Sequence, residues 1–316
     1  VEQRKKAGAF PPLLAYFNIC FFWGTTGVAN KLGASALHPL MSGTIRFCTA
    51  SLLILLWIAF RRIPLGLKKG EGKVLCLSSF LMYFLNTALL LFAAVRVDAN
   101  ISTIMLCLIP IVMVLMEALL SRRLDVGWIG GLGILGGFAG VAIVSAGGIS
   151  TGGVDWLGLA LLALSVLVWC TGTLYLKRHA VTAPFTTQIL FQSLIPAAAF
   201  LLCALLFGKF HPKEVTWAGM LPAVYMGIAD SIIGLSSYIY LLGVWKTSMV
   251  STYAYVNPVV GLILSAVILH ETITSQNLIG AAVILLSVLL IQQENSLHAL
   301  WNRRKKIAPQ KSASIK

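Results

Sequence analysis

Charge is what this chain has least of: Asp, Glu, Lys and Arg make up 11% of its 316 residues, against 58% hydrophobic residues. So little charge cannot cover a soluble domain of this size, and the solvent must be largely lipid. Period-two alternation is missing from the apolar runs, and a membrane barrel needs it to present polar inward faces, so strands are excluded. No Cys-x-x-C pair occurs. The six cysteines (Cys20, Cys48, Cys76, Cys107, Cys170 and Cys203) all fall inside apolar runs and read as small buried hydrophobes rather than metal ligands or disulfide partners. The five His are scattered, with no ligand cluster. Arg4-Lys5-Lys6 precedes the first apolar run, but no A-x-A cleavage site follows, so the run is read as a span and not a signal peptide. A working nucleotide motif is absent too. Gly131-Leu132-Gly133-Ile134-Leu135-Gly136 matches G-x-G-x-x-G, yet it lies inside an apolar run instead of between a strand and a helix. No cofactor is implied.

What the chain has is length of apolar run. Ten stretches of about 20 residues suit membrane-spanning helices: 12–33, 39–60, 74–94, 100–120, 128–147, 155–177, 185–207, 217–242, 248–269 and 276–291. With a cytoplasmic amino terminus, nineteen Lys and Arg fall in inside segments. Only Lys31, Arg96, Lys209 and Lys213 fall outside, and Arg46 is left within a span. This positive-inside bias puts both ends in the cytoplasm and the chain in the inner or plasma membrane. The net charge of +14 therefore orients the protein and meets anionic lipid heads. It is not a nucleic-acid patch.

One motif occurs twice. Phe22-Trp23-Gly24-Thr25-Thr26-Gly27-Val28-Ala29-Asn30-Lys31 is echoed about 146 residues later by Val168-Trp169-Cys170-Thr171-Gly172-Thr173-Leu174-Tyr175-Leu176-Lys177. Each Lys can snorkel to the interface two turns away, leaving its Trp near the bilayer midplane, although Trp usually sits at the interface. The fixed offset points to a duplicated unit. The segments are 1–11, a cytoplasmic start; 12–147 and 155–291, two five-helix repeats; and 292–316, a basic tail. In that tail Leu297, Leu300 and Trp301 share one face ahead of Arg303-Arg304-Lys305-Lys306, as in an interfacial helix stub.

Several polar residues lie where lipid alone would not tolerate them. Arg46 stands about 10 Å into its span and is expected to face a polar cavity. Asp230 sits near the middle of span eight, and nothing beside it lets it snorkel; it is read as a proton carrier or a partner for a substrate ammonium group. Asn86 in span three, Gln188 and Gln192 in span seven, and Tyr253, Tyr255 and Asn257 in span nine add further polar groups. Pro110 and Pro258 remove backbone hydrogen bonds and are expected to break spans four and nine beside protein or cavity water. Glu117 is expected to pair with Arg122 or Arg123. In span five, Gly127/Gly131, Gly133/Gly137 and Gly136/Gly140 have the spacing that lets helices approach closely. A monomer, or a homodimer through this glycine-rich helix, is expected.

Taken together, these residues resemble the EamA-type branch of the drug/metabolite transporter superfamily. The resemblance rests on Trp23-Gly24 with Lys31, Pro39 with Arg46-Phe47, Trp169, and Tyr255-Val256-Asn257-Pro258 leading to His270-Glu271 and Gly280. It covers about 12–291. It implies an all-α membrane protein of ten helices in two inverted five-helix halves, with helices one to four and six to nine around a central cavity. Arg122 stands where the family usually has an acidic residue, while Glu271 keeps one. The family implies export or exchange of small metabolites by alternating access. Span nine has no paired Lys-Arg of the kind phosphate exchangers use, and its tyrosines favour an amphipathic or aromatic-lined substrate.

A secondary transporter is thus the leading reading, with substrate, lipid and protons as partners. A membrane enzyme is the rival, but no membrane-depth His is present to serve Ser or Asp230 as a catalytic partner. A phosphorylated-sugar exchanger and a receptor or scaffold stand further back.

Overall fold

The structure, a computed structural model, describes residues 10–121, 127–150, 155–179, 181–245, 250 and 253–307. The described residues hold helices and the loops between them. This is what lipid demands, because a helix satisfies its backbone donors and acceptors internally.

In chain order the α-helices are α1 (Phe10–Gly24), α2 (Thr26–Ala36), α3 (Pro39–Arg61), α4 (Glu71–Ser79), α5 (Asn86–Ala94), α6 (Ala99–Leu106) and α7 (Ile109–Ser121). Then come α8 (Trp128–Ser150), α9 (Trp156–Arg178), α10 (Phe185–Leu206), α11 (Trp217–Ile228), α12 (Leu235–Val244), α13 (Tyr253–Ile268) and α14 (Ser275–Ile307). Two π-helical turns, Phe80–Leu85 and Ala229–Gly234, join α4 to α5 and α11 to α12. Among the described residues six helical segments are long and apolar enough to cross a membrane: Pro39–Arg61, Glu71–Ala94, Ala99–Leu120, Trp156–Arg178, Phe185–Leu206 and Trp217–Tyr238. Three apolar helices, Trp128–Val144, Val256–Ile268 and Ser275–Ile291, are shorter. The first apolar run is divided at Thr25 into α1 and α2. Trp128, Trp156 and Trp217 are exposed at the first positions of their helices, where amphipathic rings meet a membrane interface.

The chain forms two compact units. One comprises Val1–Leu106 and Asp155–Ile273. Its core is aromatic: Phe200 of α10 stacks on Phe47 of α3 at 5.8 Å and meets Phe84 of the first π-turn edge-on at 4.9 Å. Pro39, at the first position of α3, needs no backbone donor there. His38 Nδ1 accepts from Leu40 N at 3.3 Å to cap the same end. Asp155 caps α9 by accepting from Gly158 N at 2.8 Å.

The second unit comprises Cys107–Val154 and Thr274–Lys316. Here α8 and α14 meet along small residues. A Cβ on Gly140 would lie 2.9 Å from Gly280 O, and one on Gly280 would lie 2.8 Å from Gly140 O. Gly133 and Gly136 face Ser287 of α14 in the same way, so this part of the glycine stripe is occupied within the chain. Gly137 faces Ile111 of α7, while Gly131 has open space around it.

Several expectations need amendment. The long α14 runs on to Ile307 as one helix, because no Gly or Pro lies between the end of its apolar run at Ile291 and Pro309; the tail residues up to Ile307 continue the span helix. Cys48 is exposed on α3, and Cys76 and Cys203 are only partly covered, so three of the cysteines are not buried. Arg122 and Arg123, Lys246, Ser251, Thr252, most of the loop before Asp155, and both chain ends lie outside the described residues.

Candidate functional site

The site is built where α1, α2, α3, the two π-turns, α9 and α13 converge in the larger unit. Trp23 stands one residue before the end of α1, and Thr26 begins α2 three residues on. Between them, Thr25 hydroxyl donates to Phe22 O at 2.7 Å and lies 2.9 Å from the Tyr225 hydroxyl of α11. The first bond holds the irregular residue to the end of α1 and the second links it to α11. Trp23 then packs edge-on against Tyr253 of α13 at 5.0 Å and tilted against Tyr238 of α12 at 5.3 Å. The two tyrosines also meet edge-on at 5.9 Å. Three rings therefore form one aromatic wall, with Tyr253 in edge-to-face contact with the other two.

Asp230 stands beside this wall on the second π-turn. A π-turn holds one extra residue in the helix, which re-aims the side chains around it. Its Oδ2 lies 2.6 Å from Arg46 Nη2, and its Oδ1 accepts from Thr26 Oγ1 at 3.2 Å. Its backbone oxygen accepts from Trp23 Nε1 at 3.5 Å. The Arg46 side chain is 7% exposed and that of Asp230 17%. Two charges so far from water hold one another, since neither would be tolerated alone in a membrane interior. The pairing is incomplete: among the described residues Arg46 Nε and the Ser231 hydroxyl have no hydrogen-bond partner. The Arg46 guanidinium also lies 4.9 Å from the centre of the Phe47 ring.

The first π-turn has its own Trp. Tyr83, on that turn, meets Trp169 of α9 edge-on at 5.8 Å, and it lies within electrostatic reach of both Arg46 and Asp230. Each mid-span Trp thus packs on, or bonds to, one π-turn: Trp169 on the turn of Tyr83, Trp23 on the turn of Asp230.

Sequence reading placed Trp23, Arg46, Asp230 and Tyr253 here, and the structure brings these four together. Trp169 lies on the Tyr83 side. Asn86 goes elsewhere: its Nδ2 donates to Ser165 O of α9 at 3.0 Å, in a buried helix contact. Asn257, with its amide nitrogen turned towards them, donates to Cys20 O and Tyr253 O at 3.1 Å, tying α13 to α1. Gln192 keeps a buried Oε1 without a partner among the described residues. The side chain of Tyr255 lies outside them. Pro110 falls at the second position of α7, just after a two-residue break in span four. Pro258, by contrast, lies inside α13 without dividing it. Close approach at this point is carried by glycine: a Cβ on Gly24 would lie 2.7 Å from the Val260 side chain, and one on Gly261 3.1 Å from Gly24 O. Tyr83, Tyr238 and Thr26 were missed. Thr26 sits inside the repeated Trp motif, which is the one signal that could have found it.

The ends of the spans are tied by further bonds. At one, Glu271 accepts from Ala99 N at 2.7 Å and Asn100 N at 3.0 Å, the first donors of α6. Nearby, Lys31 Nζ donates to Val97 O at 2.8 Å, and Arg96 pairs with Asp155 at 3.0 Å. At the other, Glu71 accepts from Thr182 N at 2.7 Å, Thr182 Oγ1 at 2.8 Å and Lys68 N at 3.1 Å.

The chain resembles known proteins along almost its whole length. The model of the EamA-like transporter family matches it twice, over residues 11–146 and 156–293. The "Uncharacterized inner membrane transporter YedA" of Escherichia coli (strain K12) is 24% identical over 280 residues, 88% of this chain and 89% of that protein. A protein of Salmonella typhimurium named "Probable amino-acid metabolite efflux pump" is 25% identical over 274 residues, 83% of this chain and 88% of that protein. A protein of known crystal structure, 18% identical, superposes with a TM-score of 0.63, covering 90% of this chain and 96% of its own, and so shares the fold.

Proposed function

The chain belongs to the EamA-like transporter family, a multi-pass membrane family, and from that premise we propose that it exports or exchanges small amphipathic metabolites, amino acids among them. Transport runs by alternating access through a cavity between helices of the larger unit. The single observation that carries this reading is the Arg46–Asp230 pair, 2.6 Å long, which joins the spans Pro39–Arg61 and Trp217–Tyr238 beside the wall of Trp23, Tyr238 and Tyr253. An amino acid offers a carboxylate for a guanidinium and an apolar side chain for an aromatic wall. When the pair opens, Arg46 receives the substrate carboxylate and Asp230 takes a proton from the accessible aqueous side. In the other access state Asp230 returns the proton and closes again on Arg46. The name of the Salmonella relative supports the amino-acid class.

The same reading gives ten membrane passes in two inverted five-helix repeats, one for each match of the family model. In this reading both ends face the cytoplasm of the inner or plasma membrane, an orientation supported by the uneven distribution of Lys and Arg between alternate loops. Purified protein in liposomes loaded with radiolabelled amino acids tests the proposal. Efflux that is faster than from empty liposomes, and saturable, is the expected result. No efflux with any of the twenty amino acids or with aromatic amines would refute it.

A further inference from the structure

A cavity lies away from the Arg46–Asp230 pair, where α3 begins and α10 ends. Its volume is about 400 Å³, and it is lined by Leu40, Phe84, Ala88, Phe92, Cys203 and Phe207, with His38 and Lys209 also on its wall. The apolar members are the kind of surface that accepts a hydrocarbon chain. Phe207 is 69% exposed and the neighbouring Leu206 72%, so this rim faces the surrounding lipid. The two basic residues stand at helix ends, the level at which lipid headgroups lie. His38 uses Nδ1 to accept from Leu40 N, so its neutral ring keeps the proton on Nε2 as a donor. Burial, then the positive charges of Lys209 and His211, hold the imidazole below its ordinary value, so the ring stays neutral and serves as a donor. Among the described residues the ion pairs are Lys31–Asp98, Arg46–Asp230 and Arg96–Asp155, and Lys209 belongs to none of them.

An apolar slot that opens to lipid and carries, at headgroup height, the ammonium group of Lys209 and the Nε2 donor of a neutral His38 is complementary to one kind of molecule. We propose that this cavity is a binding site for an anionic phospholipid, with an acyl chain between Phe84, Ala88 and Phe92 and the phosphate at His38 and Lys209. The chain supplies apolar burial and the phosphate supplies charge-assisted hydrogen bonds. A zwitterionic lipid carries its own ammonium group and gains less from the Lys209 cation.

Native mass spectrometry of the full-length protein in detergent, titrated with dioleoyl phosphatidylglycerol or dioleoyl phosphatidylcholine, tests this. The expected result is preferential retention of one phosphatidylglycerol per chain. Lys209→Gln should weaken that binding about fivefold, the worth of one basic side chain at a membrane surface, and leave phosphatidylcholine unchanged. Ala88→Phe, which fills the slot, should remove retention of phosphatidylglycerol. Should that variant not fold, Lys209→Gln, a change at an exposed side chain, decides the matter. Glycerol 3-phosphate should not compete. Equal retention of the two lipids, unchanged phosphatidylglycerol binding in Lys209→Gln, or full competition by glycerol 3-phosphate would overturn the proposal. The readout needs no transport, so it stands or falls apart from the proposed function.

Discussion

Arg46 of α3 and Asp230 of the second π-turn lie 184 positions apart in the chain and 2.6 Å apart in space, one in each match of the family model. Neither charge has a substitute partner of opposite sign among the described ion pairs. Removing one is therefore a different experiment from removing both. Arg46→Met should cost about 3–5 kcal/mol of stability, because it leaves a buried carboxylate uncompensated. Arg46→Met with Asp230→Leu should recover most of that stability and still fail to transport. Thermal unfolding in detergent, set beside liposome efflux, checks both halves. Recovered transport in the double variant would make the pair purely structural.

The aromatic wall gives a second prediction. Trp23→Ala removes a ring that touches Tyr238, Tyr253 and the backbone of Asp230. Efflux should fall roughly tenfold, the loss of about 1.4 kcal/mol of favourable contact, while the amount of folded protein in the membrane holds. Trp169→Ala, acting through Tyr83, should fall in the same direction. If both variants transport at the wild-type rate, the wall is not in contact with substrate.

A third concerns pH and the cap of α9. The hydrogen bond from Gly158 N, and then the bond from Arg96, hold the Asp155 carboxyl below the usual carboxylate range. A carboxylate with a depressed folded-state value stabilises the fold above its unfolded value, and that stabilisation is lost as pH falls through the depressed one. The melting temperature of the wild type should therefore drop through the acid range more than that of Asp155→Asn, which keeps an acceptor for Gly158 N but does not titrate. Parallel curves for the two proteins would remove Asp155 from the acid response.

The smaller unit supplies a fourth. Gly140 and Gly280 approach so closely that a Cβ on either meets the other's carbonyl oxygen within 3 Å. Gly280→Val should force α8 and α14 apart and cost about 1–3 kcal/mol. Gly131→Val, with open space at its Cβ, should cost less than half as much. Melting temperatures of the two variants, measured side by side, give the ranking, and equal losses would contradict it.

The sequence made some of this legible and left the rest hidden, for physical reasons. Long apolar runs with basic ends announce membrane spans because bilayer thickness fixes their length. Asp230 and Arg46 stood out for the same reason, as charges at a depth where lipid tolerates none. Their partnership was harder to see, since nothing local says that a span-two Arg meets a span-eight Asp. The π-turns left no trace in the residues: Phe80-Leu81-Met82-Tyr83-Phe84-Leu85, which packs against α9 and α10, looks like any apolar helix. Tyr83 was missed with it. Asn86 was visible as a polar residue at membrane depth, but its partner, the backbone of Ser165, is a carbonyl that any residue could have offered. Pro258 shows the limit of reading breaks from composition, because α13 continues through it.

The central claim is that the Asp230 carboxyl exchanges its hold on Arg46 for a proton during transport. Asp230→Asn keeps the size of the side chain and an acceptor for Thr26 Oγ1, yet cannot carry a proton. Efflux from proteoliposomes driven by an imposed pH gradient should therefore be lost in Asp230→Asn, while substrate counterflow without a gradient persists at a reduced rate. Gradient-driven efflux by the Asn variant at the wild-type rate would contradict the account.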